Sequence, residues 1–243
     1  MDLLLYELSF LQRERDENRL MAKEPKVTRV DDAYERLRKE ILENRMPPGF
    51  QAPEPEIAEQ LGMSRTPVHE ALIRLEGEGL VALVPRRGVK VLPLSPEDMR
   101  EIYEILTALE PEAAASVAEA RLDKEQLAPL HDATDEMEHA LAEGDLDKWA
   151  AADDCFHRRL LDLHGNGRMT GFVKTLFDQA HRARMATLRL RDLPVKSTEE
   201  HRVILRCIAD GDAEETRSVF RAHRRRAAKE LLGVLERTRL THL

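Results

Sequence analysis

The apolar positions of this chain keep helical spacing over most of its length and leave it once. From Val30 to Arg45, Ala33, Leu37, Ile41 and Leu42 fall on one face of a helix, which Met46-Pro-Pro-Gly49 ends. Ile57, Ala58 and Leu61 add about a turn and a half, stopped at Gly62. Ser64 is placed to cap another helix with Pro67 in its first turn. Val68, Leu72 and Leu75 face its inner side, so Arg65, Thr66 and His69 point outward, and Gly77 and Gly79 close it. Residues 81–91 then turn strand-like, with valines and leucines on both sides of Pro85-Arg-Arg-Gly88. Helix, tight turn, helix and a basic-tipped hairpin predict a winged helix-turn-helix. In that layout the second helix enters the DNA major groove and the wing grips the backbone.

After Pro93 no run alternates with period two. Ser95-Pro96-Glu97-Asp98 reads as a helix start, with a cap, a proline at the first position and acids in the first turn. Helical segments follow near 96–121, 123–143, 146–164, 168–190, 195–210 and 212–237, broken at Gly144-Asp145, Gly165-Asn-Gly167, Asp192-Leu-Pro194 and Gly211-Asp212. The expected fold is mostly α. It comprises an N-terminal extension (1–25), a winged helix-turn-helix with a small β-hairpin (26–94), and an all-α bundle of six or seven helices (95–243).

Composition sharpens this picture. An apolar fraction of 42% supports a real core, and aromatics at only 4% suit helices packed through Leu, Ala and Val. A net charge of −8 argues against a protein that coats nucleic acid indiscriminately, so DNA affinity must come from a local patch. Arg65, Arg74, Arg86, Arg87 and Lys90 are its candidates. Cys155 and Cys207 form no C-x-x-C pair, and the leucines after Asp2 lack a basic leader and are too few to span a membrane. A reduced, cytoplasmic setting is expected.

The histidines of the second half carry the other chemistry. Asp153 and His157 share a helix face, and His201 and His223 stand on the last two helices. One carboxylate and three imidazoles would suit Zn²⁺, Ni²⁺ or Mn²⁺. A lone helical histidine is more often a surface or satisfied core residue, so spacing alone leaves the metal open. No H-E-x-x-H motif is present, and the one E-x-x-H, Glu136 to His139, has no partner. Both absences count against a metalloenzyme.

The run Leu61-Gly-Met-Ser-Arg-Thr-Pro-Val-His-Glu-Ala-Leu-Ile-Arg-Leu-Glu-Gly-Glu-Gly-Leu-Val81 resembles the signature of GntR-family bacterial transcriptional regulators, continued into the wing at Arg87-Gly88. Together with the charge pattern this marks Arg65, Thr66, His69, Arg74, Arg86, Arg87 and Gly88 as the DNA-facing set. His69 and Pro55 stand where the family usually has DNA-contacting arginines. Asp153-Asp-Cys-Phe-His157-Arg-Arg-Leu160, then His201 with a Gly211-Asp212 pair, then His223, resembles the FCD effector domain of the FadR-type branch. That resemblance implies a divalent metal on Asp153, His157, His201 and His223, zinc foremost, with Asp154 as the alternative to Asp153. It also implies a small organic acid beside the metal. The family's carboxylate-binding arginine on the first bundle helix is replaced by Leu106 in Glu101-Ile-Tyr-Glu-Ile-Leu106-Thr-Ala-Leu-Glu110, so Arg182 and Arg184 become the candidates for that charge. The expected function is a homodimeric, effector-controlled repressor of a DNA operator. A metal-sensing regulator is the first alternative and a helical metalloenzyme the second.

Overall fold

The computed structural model describes residues 27–238. The expected N-terminal extension, 1–25, lies outside them. Thr28 starts α1 (Arg29–Leu42) with a reciprocal cap, its hydroxyl accepting from the Asp31 N–H while the Asp31 carboxylate accepts from Thr28. The helix stops three residues short of the predicted Arg45, because Asn44 turns into a left-handed conformation (φ 59°) ahead of the two prolines. A two-residue strand, β1 (Gln51–Ala52), leads to α2 (Glu54–Leu61), which Gly62 caps at φ 66°. The recognition helix α3 (Arg65–Gly77) follows. Ser64 occupies its N-cap position without a side-chain hydrogen bond, and Val68, Leu72 and Leu75 are fully buried.

The wing is β2 (Val81–Val84) and β3 (Gly88–Val91), paired antiparallel from Val81↔Val91 to Val84↔Gly88. Where the sequence predicted a plain hairpin, the sheet has three strands in the order β1-β3-β2, with Ala52 opposite Val89. Two residues carry no readable alternation, which is why β1 was not expected. Its backbone makes Gly88 obligatory. At φ 86° a Cβ there would lie 2.2 Å from the Ala52 carbonyl oxygen and 2.6 Å from Pro53 Cα.

The second half holds α4 (Pro96–Glu119), α5 (Lys124–Glu143), α6 (Leu146–His164), α7 (Gly167–Thr187), a 3₁₀ turn (Leu188–Leu190), α8 (Val195–Asp210) and α9 (Ala213–Thr238). The predicted segment 168–190 thus divides at Thr187, whose hydroxyl donates back to the Ala183 carbonyl at 2.8 Å as the coil tightens. One apolar core runs from Ala33 to Val91, and two more fill the helical bundle.

The two halves meet through polar contacts. Arg38 of α1 donates Nε and Nη2 to the two oxygens of Asp178 on α7, each at 2.5 Å, and Asp178 is 1% exposed. Arg158 of α6 donates to the same carboxylate at 2.7 Å. Beside them Gln179 donates to the Glu78 carbonyl at 3.0 Å, and Arg182 donates to the carbonyl of Leu92 just past the wing.

Gly88→Ala is expected to destabilise the N-terminal half by about 2–3 kcal/mol through this backbone clash. Denaturant unfolding would read the loss, and an unchanged midpoint would mean that the wing does not pack against β1 as described.

Candidate functional site

The positions of the residues expected to face DNA follow from the helix periodicity. With Val68, Leu72 and Leu75 inward, Arg65, Thr66 and His69 are exposed on the opposite side of α3. Arg86, in the left-handed region at φ 64°, and Arg87 are exposed at the wing tip beside Gly88. Arg74 differs from the other cations in the expected set. Its guanidinium lies 3.6 Å from the ring centroid of Tyr34 and within 3.6 Å of Asp31 and 3.5 Å of Glu78. It braces α3 against α1, with Tyr34 donating its hydroxyl to Glu78 at 2.8 Å.

Inside the bundle, α6, α8 and α9 bring His157, His201 and His223 together with their ligand nitrogens all within 4.8 Å of one another. The three rings are 0–2% exposed. Phe156 meets His201 edge-on at 4.6 Å between centroids, and Phe220 does the same to His157 at 5.6 Å, so the imidazoles are clamped by aromatic walls. Each Nδ1 faces an oxygen: the Ser197 carbonyl at 2.7 Å from His201, Glu200 at 2.8 Å from His223 and Glu110 at 2.9 Å from His157. A carbonyl can only accept, so His201 carries its proton on Nδ1 and presents a lone pair at Nε2. That Nε2 lies 3.3 Å from Nε2 of His157, whose own Nδ1 faces a carboxylate held by Arg224 at 2.5 Å. With both protons on Nδ1, a divalent cation between the two Nε2 atoms would take a lone pair from each ring. This donor set, with an oxygen behind every ring, fits a divalent metal.

Burial depresses all three histidines, reinforced by neighbouring positive charge and opposed by Asp153; His201 falls to about 3. They are therefore neutral near pH 7, as ligands must be. Asp153 completes the expected set. Its Oδ1 is 3.6 Å from His201 Nε2 and its Oδ2 is 2.6 Å from Arg184 Nη1. Burial would raise its carboxyl, but Arg184 and the imidazoles outweigh burial and hold it well below the usual range. Asp154 turns away to Arg158 at 2.6 Å. Glu200 is held at about 2: its partial burial acts upward, and His223 and Arg226 overcome it.

A cavity of about 640 Å³ opens beside this cluster, with Asp153, His223, Arg184, Arg191, Arg224 and Tyr103 in its wall. Seven lysines and arginines line it against three acids. Arg191 Nε and Nη2 and Arg224 Nε are buried without a hydrogen-bond partner among the described residues. These are donors in want of an anion. Of the two arginines expected to supply charge, Arg184 lines the cavity, whereas Arg182 points to the junction at Leu92. Leu106 is fully buried in the apolar core, so no charge comes from its position. Glu110, Glu200, Arg191 and Arg224 were not expected. Glu110 stands in the quoted helix pattern, but its part depends on α9 bringing up Arg224. The isolated His139 is exposed and pairs only with Glu143 at 3.2 Å.

Residues 29–91 match the family of bacterial regulatory proteins known as gntR, and residues 101–226 match the FCD domain. An uncharacterized HTH-type transcriptional regulator from the TAR-I ttuE-ttuC' intergenic region of Agrobacterium vitis is 51% identical over 135 residues, covering 55% of this chain and 79% of that one. The HTH-type transcriptional repressor RspR of Escherichia coli is 28% identical over 75% of this chain and 80% of its own. Among solved structures, E. coli McbR/YncC superposes with a TM-score of 0.76 at 21% identity, over 85% of this chain and 98% of its own, which shows a shared fold.

Saturating Zn²⁺ or Ni²⁺ at about 100 times Kd is expected to stabilise the chelator-treated protein by about 2.7 kcal/mol, a rise in Tm of roughly 5–10 °C. His201→Ala and His223→Ala should both remove the rise. A wild-type Tm indifferent to every divalent metal would exclude the centre.

Proposed function

We propose that this chain, which belongs to the GntR family of bacterial regulatory proteins and carries an FCD domain, represses transcription until an organic anion binds beside a divalent metal in its helical half. Family membership makes it a DNA-binding transcriptional regulator and not an enzyme. The repressor sign is taken over from relatives such as RspR. The observation that carries the effector reading is the meeting of two candidate metal ligands, Asp153 and His223, with the unpartnered guanidiniums of Arg191 and Arg224 in one cavity wall. His157, His201, His223 and Asp153 would hold the ion, which when bound offers a Lewis-acidic position for an anionic oxygen. Arg184, Arg191 and Arg224 would take the remaining charge of a carboxylate-bearing ligand through charge-assisted hydrogen bonds. Tyr103 and Trp149, also in the wall, set its width.

Two copies would present their α3 helices to half-sites about one DNA turn apart. Among the described residues no helix is long and apolar enough to cross a membrane, and the chromosome is the partner that the reading requires.

A path from ligand to DNA runs through ion pairs already described. Asp153 pairs with Arg184; the next residue, Asp154, pairs with Arg158; Arg158 shares Asp178 with Arg38 of the DNA-binding half. An anion that draws Arg184 away from Asp153 alters the charge balance on α6 and α7, and the junction lies one ion pair further on.

Two outcomes test this reading. Calorimetry against a panel of mono- and dicarboxylates in the metal-loaded protein should find a ligand whose affinity Arg191→Ala weakens by roughly ten- to a hundredfold, the size of one charge-assisted bond. If metal alone changes operator affinity and no acid binds, the protein senses the ion. For the path, Arg38→Ala should leave that ligand's affinity intact while operator affinity stops responding to it, a coupling of about 1–3 kcal/mol lost. A full response in Arg38→Ala would mean that the signal travels elsewhere.

A further inference from the structure

The position that departs most from the expected DNA-reading pattern has a partner. His69 is the fifth residue of α3, and its side chain is about half exposed on the DNA-facing side. Its Nδ1 lies 3.0 Å from Oε2 of Glu54, the first residue of α2. A carboxylate oxygen accepts, so the shared hydrogen belongs to Nδ1. In the neutral ring Nε2 is then a lone pair on the side away from Glu54. An arginine at this point would offer only donors; this histidine offers an acceptor, backed by a carboxylate. The two side chains come from the two helices of the helix-turn-helix, and the packing of Ile57 and Ala58 on α2 against Val68 and Leu72 on α3 sets their separation.

We infer that His69, with its tautomer set by Glu54, makes this regulator read the cytosine side of a C·G pair at one position of each half-site. The reason lies in the major-groove edges of the bases. Guanine shows two acceptors, and thymine an acceptor and a methyl group. Both repel or waste a lone pair. Adenine offers an amino group, but with N7 beside it as a competing acceptor. Cytosine alone offers the N4 amino group as its major-groove hydrogen-bonding group, and a carboxylate or a neutral acceptor nitrogen suits it. The negative charge of Glu54 adds to that preference and makes the same point unfavourable for a phosphate. His69 is therefore a base reader, and phosphate contact falls to Arg65, Arg86 and Arg87, none of which is within ion-pairing distance of an acid among the described residues. The inference rests on the DNA-binding reading and adds to it a base identity and the residue that sets the acceptor.

The test is selection of bound duplexes from a random library at pH 8 by the full-length, metal-loaded protein, alongside His69→Ala, His69→Arg and Glu54→Ala, each checked for a native circular dichroism spectrum. The expected wild-type motif is a palindrome with one column per half-site in which cytosine is favoured by about tenfold, the worth of one good hydrogen bond. His69→Ala should flatten that column and no other. His69→Arg should turn it to guanine. Glu54→Ala, which frees the ring to present either nitrogen, should weaken the cytosine preference several-fold. A wild-type motif in which the His69-dependent column is guanine would show the ring donating and overturn the inference. So would a motif unchanged in every column by His69→Ala, or a cytosine column indifferent to Glu54→Ala. Absence of any enriched sequence for the folded wild-type protein would instead refute sequence-specific DNA binding itself, and the inference with it.

Discussion

Asp178 is the constraint on which the arrangement of this molecule depends. A carboxylate that is 1% exposed costs several kcal/mol of lost hydration, and only well-placed opposite charge offsets it. Here both halves contribute: Arg38 from α1 with two hydrogen bonds, and Arg158 from α6 with one. Neither half alone satisfies the group. Swinging the DNA-binding half away would strip Arg38 from Asp178 and leave a buried anion with one partner, so the junction has a preferred geometry instead of acting as a loose tether. Arg182, with its donor on the Leu92 carbonyl, adds a second fixed point where the wing gives way to α4.

The helices that build the junction also build the candidate metal centre. Helix α6 carries Asp153, Asp154, His157 and Arg158 within two turns, and α7 carries Asp178 and Arg184 less than two turns apart. Residues four apart on a helix share a face, so Asp153 and His157 look into the cavity side while Asp154 and Arg158 look to the junction. A single helix thus presents one face to the cavity and another to the DNA-binding half. The electrostatics agree with that division. The cavity side holds neutral imidazoles, a carboxylate kept charged by Arg184, and guanidiniums with bonds to spare. On the junction side Asp154, Arg158, Asp178 and Arg38 are paired with one another.

Much of this was legible in the residues, and the exceptions have physical causes. Periodicity located every bundle helix to within a few residues because Leu, Ala and Val recur at helical spacing between glycines that adopt left-handed caps, as at Gly144, Gly165 and Gly211. The four-residue step from Asp153 to His157 placed both on one face without any structure. What spacing could not supply was the opposing surface. Arg182 and Arg184 are two apart, hence about 200° around the helix, so only one of them could enter the cavity; nothing local said which. Arg74 reads as a free cation until α1 brings Tyr34 under it. Arg191 sits after a 3₁₀ turn whose path no periodicity describes, yet it carries two of the unpartnered donors. Asp178 and Arg38 are 140 residues apart, and their pairing exists only once both halves have folded.

The contacts of Arg74 with Tyr34, Asp31 and Glu78 set it apart from the other cations expected to face DNA. In a chain of net charge −8, the unpaired cations of α3 and the wing among the described residues are few: Arg65 on α3, Arg86 and Arg87 at the wing, and Lys90 beside them. Each phosphate neutralised contributes to affinity by releasing counterions, and a handful of contacts gives one head only weak, salt-sensitive binding. In the proposed dimer two heads would engage at once, the second contact being intramolecular and strengthened by effective concentration. That dependence makes control by geometry economical. An effector of the proposed kind would not need to touch α3; it would need only to change the distance or tilt between two heads through the joint held by Asp178 and Leu92. A strongly cationic head would bind singly and ignore its partner's position. On the proposed reading, the modest charge of this one would let a ligand in the helical half decide whether DNA is held.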